Sequence, residues 1–350
     1  MIRALVVDDS AYNRVTIARM LEAGGIEVVA TATNGEDAIR QVMRHTPDVI
    51  TLDLEMPVMD GFAFLRWLMQ NRPTAVVVVS SRGSDRSVFK ALDLGAIDFI
   101  AKPGGRISPR LEEIQAALID KILQIRELRI DNVRKRVEGA EHPGPVRPPA
   151  IEPGLSRADM VVIGSSTGGP PALQHVLQAL PLLPVPIVVA QHMPPVFTRL
   201  FAERVDRLTE STVIEAADGE RLAPQSVYIA PGGMQTEVER KGDGLHVRVS
   251  RPGAADVYAP SVDRLFATAS DCCGERLVAV VMTGMGDDGA ASIRRVRERG
   301  GRTIAESADT AIIFGMPNEA IKTGAVERVL PLDEIAGAIE SYVTFSSKSR

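Results

Sequence analysis

Gly164-x-Ser166-x-Gly168 has the spacing of a nucleophile elbow, a sharp strand-to-helix turn that lifts a serine hydroxyl clear of a sheet. The apolar run Val161-Val-Ile163 before it reads as the end of a buried strand, and Pro170-Pro171 suit the first turn of the helix that follows. Glycines there let backbone pack closely around the hydroxyl, and the free N–H groups of a helix start can stabilise a developing oxyanion. The stretch also fits a phosphate-cradling loop or a plain tight turn, and by itself it does not choose among them.

A serine nucleophile needs a base, and the chain has five histidines. His45 precedes a strand of the first half, His142 falls in a Pro/Gly-rich segment and His246 lies in a hairpin pattern. His175 sits in the helix after the elbow, over ~10 Å along its axis from Ser166. Only His192 directly follows an apolar strand, Pro186-Ile-Val-Val-Ala190, on the rim where Ser166 should lie. Asp287 and Asp288, in the glycine-rich loop Thr283-Gly-Met-Gly-Asp-Asp-Gly289, are both candidates to orient the imidazole, and spacing leaves the pair open. The order Ser, His, Asp differs from that of the common hydrolase fold, but a triad is defined by geometry. In the stretch Gly164 to Gly169 no Walker-type lysine follows the glycines and their spacing is not G-x-G-x-x-G, which counts against a phosphate loop there.

A second group of chemistry-bearing residues occupies the first half: Asp8, Asp9, Asp53, Ser80 and Lys102 each follow an apolar strand pattern. They should converge on one rim. Clustered carboxylates repel, a hard cation such as Mg²⁺ relieves this, and an ammonium and a hydroxyl beside them can hold phosphoryl oxygens. Asp53, on the middle strand, is the natural phosphate acceptor.

The elements that must position these groups alternate. Strand patterns at 4–7, 27–32, 47–52, 75–79 and 97–101 are separated by helical periodicity, which predicts a doubly wound parallel sheet with ligands beyond the carboxyl ends of its strands. Helical spacing over 111–125 continues into a charged stretch, and the prolines and glycines of 139–154 mark an extended linker. Arg134-Lys135-Arg136 reads as a solvated helix end. A second series starts near Asp159, with strands near 186–190, 212–215, 226–230, 277–282, 302–305 and 326–330 and a hairpin around Gly242-Asp-Gly244, an open sheet with one antiparallel excursion. Both halves are therefore α/β, with domains expected at 1–125 and 157–345 joined by 126–156.

Composition is that of a soluble globular chain: 350 residues, 45% hydrophobic, 24% charged and a formal charge of −5, with no overall attraction to nucleic acid or an anionic surface. The two cysteines, Cys272 and Cys273, suit neither a disulfide framework nor a metal site, and point to a reducing compartment. No signal segment or bilayer-length apolar run is visible, so the expected location is the cytoplasm, without membrane insertion.

Residues 1 to about 125 resemble the receiver domain of two-component response regulators, through Asp8-Asp9, Asp53 with Met56-Pro57 and Asp60-Gly61, Ser80, and Lys102-Pro103. The resemblance implies a flavodoxin-like fold and phosphorylation of Asp53 by a histidine kinase. It also implies Mg²⁺ held by Asp8, Asp9, Asp53 and the carbonyl of Glu55, with Ser80, Phe99 and Lys102 as switch positions. Residues 157 to about 342 resemble the chemotaxis-specific protein-glutamate methylesterases and glutaminases of the CheB family. The carrying stretches are Ile163-Gly-Ser-Ser-Thr-Gly-Gly169, Gln191-His-Met-Pro-Pro195, Ala230-Pro-Gly232, Pro260-Ser-Val-Asp263, Thr283-Gly-Met-Gly-Asp-Asp-Gly289 and Phe314-Gly-Met-Pro317. This implies a Rossmann-like domain with Ser166 as nucleophile, His192 as base, Asp288 as the orienting acid, and Met285 and Thr167 as oxyanion donors. Methyl-accepting chemotaxis receptors would be the substrate, and the esterase reaction would need no cofactor. Ser165 and Asp287 depart from the small alanine and the asparagine common at those positions. The alternative is a response regulator whose second domain binds a nucleotide or a protein without catalysis. A DNA-binding output fits poorly, since Arg294-Arg295-x-Arg297 reads as a solvated face.

Overall fold

The computed structural model describes residues 1–81, 85–103, 110–140 and 158–344. The chain divides into two compact units, residues 1–143 and 144–350. The expected linker of 139–154 lies almost entirely outside the described residues.

In the first unit the order is β1 (Arg3–Val7), α1 (Ala11–Ala23), β2 (Glu27–Ala32), α2 (Gly35–His45), β3 (Val49–Leu52), α3 (Gly61–Asn71), β4 (Ala75–Ser81), α4 (Asp85–Asp93), β5 (Asp98–Lys102), α5 (Gln115–Leu123) and α6 (Ile130–Ala140). The sheet order is β2-β1-β3-β4-β5 and every pairing is parallel. β3, the described part of β4 and all of β1 after its half-buried first residue, Arg3, are buried, as strands covered by helices on both faces must be. Ser10, Asn34 and Asp60 cap α1, α2 and α3 with their side chains, which fixes where each strand hands over to its helix. The sequence predicts one helix over 111–125 continuing into the charged stretch. The structure divides it: 3-10 turns flank α5, Leu128 is extended with ψ 134°, and α6 is a separate helix.

The second unit runs β6 (Met160–Ser165), α7 (Gly169–Ala179), β7 (Ile187–Gln191), α8 (Phe197–Asp206), β8 (Thr212–Glu215), β9 (Ser226–Ile229), β10 (Gln235–Lys241), β11 (Gly244–Ser250), α9 (Val262–Cys273), β12 (Leu277–Val281), α10 (Ala290–Glu298), β13 (Arg302–Glu306), α11 (Met316–Lys322), β14 (Arg328–Leu330) and α12 (Leu332–Val343). Its seven-stranded parallel sheet has the order β14-β13-β12-β6-β7-β9-β8. The expected antiparallel excursion is instead a separate two-stranded sheet, β10-β11. Its inward residues Val238, Leu245 and Val247 join the same apolar core as Phe266 and Leu265 of α9, so it packs on the sheet's helical layer rather than extending the sheet.

From β6 the chain winds outward through β7 to β8, then crosses back to β12 on the other side of β6 and winds outward again through β13 and β14. The carboxyl ends of β12, β6 and β7 therefore border a switch point, where the loops diverge and leave a crevice. No helix among the described residues is long and apolar enough to cross a membrane.

Candidate active site

Ser166 leaves the end of β6 and His192 leaves the end of β7, and these strands pair with Ser165 opposite Gln191. Neighbouring strands lie about 4.8 Å apart, so the backbones of Ser166 and His192 start as adjacent positions on one rim. Three hydrogen bonds secure them. His192 N–H donates to the Ser165 carbonyl at 3.0 Å, and Gln191 Nε2 donates to the carbonyls of Ser166 and His192, each at 2.9 Å. Gln191 is itself held, since Ser165 Oγ donates to its Oε1 at 2.7 Å. Ser165 is fully buried and Ser166 half-buried, so the two neighbouring hydroxyls are spent differently: one braces the scaffold, the other faces the crevice.

The third strand end supplies Asp288. Its Oδ2 lies 2.8 Å from His192 Nε2, while Asp287 is exposed on the surface of the same loop. The choice that spacing left open is made by α9. Asp288 Oδ2 accepts from Val262 N–H at 2.7 Å, and Oδ1 accepts from Asp263 N–H at 2.8 Å and Ser261 Oγ at 3.0 Å. The carboxylate thus sits on the free N–H groups of a helix N-terminus, where negative charge is favoured. Burial opposes its ionisation, yet the contact with His192 and the N–H groups of Asp263 and Val262 outweigh that and hold the carboxyl below its usual range. The bracing is mutual: Asp263, at the start of α9, accepts from the backbone N–H and the hydroxyl of Ser292 in the first turn of α10. With Nε2 donating to Asp288, the other imidazole nitrogen, Nδ1, carries the lone pair available to a hydroxyl.

Thr283, at the end of β12, ties the loop to the elbow. Its carbonyl accepts from Ser166 N–H at 3.0 Å, its hydroxyl donates to the Thr167 carbonyl at 3.0 Å, and its N–H donates to the buried carboxylate of Glu306 at 2.8 Å. Gly284 packs directly on the Ser166 backbone: a Cβ there would stand 2.8 Å from Ser166 Cβ. Met285 follows, half-buried, on this tightly held loop, and Thr167 is buried beside the start of α7. The glycine loop is not an open phosphate cradle. A Cβ at Gly169 would lie 2.0 Å from Gln191 Oε1 and one at Gly168 would lie 3.0 Å from Ile312, so the protein's own side chains fill the space.

Of the remaining described histidines, His45 ends α2 in the first unit, and the other two are engaged within the second. His175 pairs with Asp333 at 2.7 Å, and His246 lies 3.1 Å from the Gly219 carbonyl and 3.0 Å from Asp243. Sequence reasoning gave no role to Gln191, Thr283, Ser261 or Tyr258, whose ring stacks on His192. Gln191, Ser261 and Thr283 lie inside quoted motifs, but only the folded geometry shows what they hold.

In the first unit Asp8, Asp9 and Asp53 each offer a carboxylate oxygen within 4.8 Å of the others, as a divalent cation requires. Lys102, fully buried, reaches Asp53 Oδ2 at 2.6 Å and Asp8 Oδ2 at 2.7 Å. Burial pushes the Asp53 carboxyl up from its usual range against the pull of Lys102, with Asp8 adding to the rise. Burial tends to lower Lys102, but Asp53 and Asp8 outweigh it and raise the ammonium. The acidic cluster is compatible with Mg²⁺, with Glu55 following two residues after Asp53 and donating its N–H to Asp53 Oδ1 at 3.4 Å. Ser80 is buried at the end of β4, and Phe99 is buried on β5 with its ring edge-on to Phe89 at 6.4 Å.

Comparison with known proteins finds a family match in each unit. Residues 161–339 match the family described as CheB methylesterase, and residues 4–111 match the response regulator receiver domain. A protein-glutamate methylesterase/protein-glutamine glutaminase of Geobacter sulfurreducens is 43% identical, with 97% of this chain and 96% of that protein covered. One from Myxococcus xanthus is 46% identical over the same shares. The crystal structure of the Thermotoga maritima CheB methylesterase catalytic domain is 39% identical, with a TM-score of 0.51, covering 52% of this chain and 97% of that one. The chain belongs to the CheB methylesterase family and carries a response regulator receiver domain ahead of its catalytic domain.

Proposed function

We propose that Ser166, His192 and Asp288 act as nucleophile, base and orienting acid in this protein-glutamate methylesterase and glutaminase. Ser166 Oγ attacks the carbonyl carbon of a receptor glutamate γ-methyl ester while His192 Nδ1 takes its proton. The tetrahedral oxyanion is met by the backbone N–H groups of Met285 and Thr167. His192 then gives its proton to the departing methoxide, and methanol leaves. Water attacks the acyl-enzyme by the reverse sequence and releases glutamate and free Ser166. A receptor glutamine follows the same route with loss of ammonia. The carrying observation is the imidazole fixed on Asp288 beside the Ser166 backbone, at the switch point of the sheet. Ser166→Ala should stop methanol release from methylated receptor membranes without loss of folding, and turnover surviving in that variant would overturn the assignment.

The receiver is read as the control. Asp53 accepts a phosphoryl group from a histidine kinase, and Asp8, Asp9, Asp53 and the Glu55 carbonyl would hold Mg²⁺, whose charge offsets that of the incoming phosphoryl oxygens. Lys102, already on Asp53, is placed to take one of those oxygens, and Ser80 and Phe99 respond. The working location is the cytoplasm, with the cytoplasmic parts of chemoreceptors as substrate. Asp53→Asn should remove activation by a small phosphodonor while leaving basal methanol release measurable; a normal response would sink the gating role.

A further inference from the structure

The proposed base is held by one hydrogen bond and one ring contact. Nε2 is on Asp288, and the face of the ring lies against Tyr258, with centroids 4.8 Å apart and planes within 5° of parallel. Among the described residues no hydrogen bond reaches Ser166 Oγ, so the serine does not steer the imidazole in this state. A histidine with a single hydrogen bond can still swing about that bond. A parallel ring contact removes this freedom, because tilting the imidazole loses the stack.

Tyr258 is unusually well anchored for a loop residue. Gln235, fully buried at the start of β10, donates from Nε2 to the Tyr258 carbonyl at 2.7 Å and accepts from Ser261 N–H at 3.0 Å. Ser261 is the residue whose hydroxyl holds Asp288 Oδ1. The two partners of the imidazole, Tyr258 on its face and Asp288 on its edge, are therefore spaced by the same buried amide. Gly233 N–H adds a bond to the Ala259 carbonyl at 3.0 Å. At its other end the phenol lies over Gly286, where a Cβ would come within 2.6 Å of the Tyr258 hydroxyl. The ring thus spans from the base to the loop that carries Met285.

We propose that Tyr258 is a positioning residue for the reaction, clamping the His192 ring in the plane that keeps Nε2 on Asp288 and turns Nδ1 toward Ser166. The inference rests on the Ser-His-Asp reading above and adds a fourth side chain to it. Its effect runs through the imidazole, so it should appear in the chemical step and in any reaction that uses the same base, whatever the size of the reagent. Misplacing a reacting group by about 1 Å can lower a rate by about a hundredfold.

The test uses the full chain with two reagents, methylated receptor membranes and the small serine-directed agent diisopropyl fluorophosphate. Tyr258→Ala should lower kcat for methanol release between about tenfold and a hundredfold, leave KM within about twofold, and slow inactivation by the fluorophosphate by the same factor. Tyr258→Phe, which keeps the ring face, should recover most of both rates. If Tyr258→Ala does not accumulate as folded protein, Tyr258→Leu, which keeps bulk without the ring, carries the same expectation. A change in KM alone with normal inactivation would make Tyr258 a substrate contact and overturn the proposal. So would unaltered rates, or a Phe variant as slow as the Ala variant. Inactivation that persists in Ser166→Ala would instead overturn the triad reading itself.

Discussion

The two sites of this chain are built on the same kind of edge, the carboxyl ends of two separate parallel sheets, and solve opposite electrostatic problems. Each gathers acidic groups at the carboxyl ends of parallel strands. In the receiver, Asp8 and Asp53 are buried against a full positive charge, Lys102, which is itself wholly inaccessible. In the catalytic domain, Asp288 is as deeply buried but, among the described residues, forms no ion pair with a lysine or arginine; a helix N-terminus and an imidazole stabilise it. The difference suits the chemistry. A site that must accept a dianionic phosphoryl group needs fixed cationic charge nearby. A site that needs a neutral imidazole base needs an acid that stays ionised without a competing cation beside it.

The largest effects should separate the roles inside the catalytic site. Ser166→Ala should reduce kcat by about 10⁶, to the residue of rate left by binding and the oxyanion donors. Asp288→Asn should reduce it by about 10⁴, because an amide can present its N–H to the imidazole and hold the wrong tautomer. Both are read as methanol release. If Asp288→Asn and Asp287→Asn lose equal activity, the assignment of the buried aspartate fails.

The receiver side should respond in stability. Lys102→Met removes the cation between two buried carboxylates and should destabilise this domain by about 3–5 kcal/mol in denaturant titrations. Added Mg²⁺ should restore a larger share of stability to this variant than to the wild type. A variant that unfolds at the wild-type midpoint would show that the ion pairs contribute nothing.

Acid should drive the two sites in opposite directions. Asp288 has a depressed folded-state pKa, so its contribution is present above the unfolded value near 3.8 and is lost as pH falls below that. Asp53 is raised, so the fold favours its protonated form, and its contribution to stability diminishes as pH climbs from 3.8 through the raised value. Thermal melts across this range should therefore show Asp288→Asn flattening the acid loss, and Asp53→Asn raising stability at neutral pH. Parallel curves for both variants would remove the contrast.

The contrast also marks what the sequence could reveal. Asp8, Asp53, Lys102, Ser166 and His192 were legible because each directly follows an apolar strand, and in a parallel sheet that position fixes the rim. Spacing did not choose Asp288 over Asp287, and only the family resemblance pointed to it, since the physical reason lies at the N-terminus of α9, some 26 positions away in the chain. Tyr258 gave no signal either. It lies in an exposed loop without periodicity, and its anchor Gln235 looks like an ordinary strand residue until both of its amide atoms are found bonded. The break before α6 escaped for a related reason: apolar spacing continues through Leu128, and nothing local requires its extended backbone.

The smallest effect sharpens the comparison at single-residue scale, between adjacent serines. Ser165 Oγ is buried on Gln191 Oε1, and that amide holds the carbonyls of Ser166 and His192. Ser165→Ala leaves the amide's two donor bonds in place and strands one buried acceptor, a loss of about 1–3 kcal/mol in stability. Because the donor bonds are the ones that tie Ser166 to His192, kcat should stay within about threefold of the wild type. Gln191→Ala removes both donor bonds together and should lower kcat more than Ser165→Ala does. Equal losses in the two variants would mean that the hydroxyl of Ser165, and not the amide, sets the register of the site.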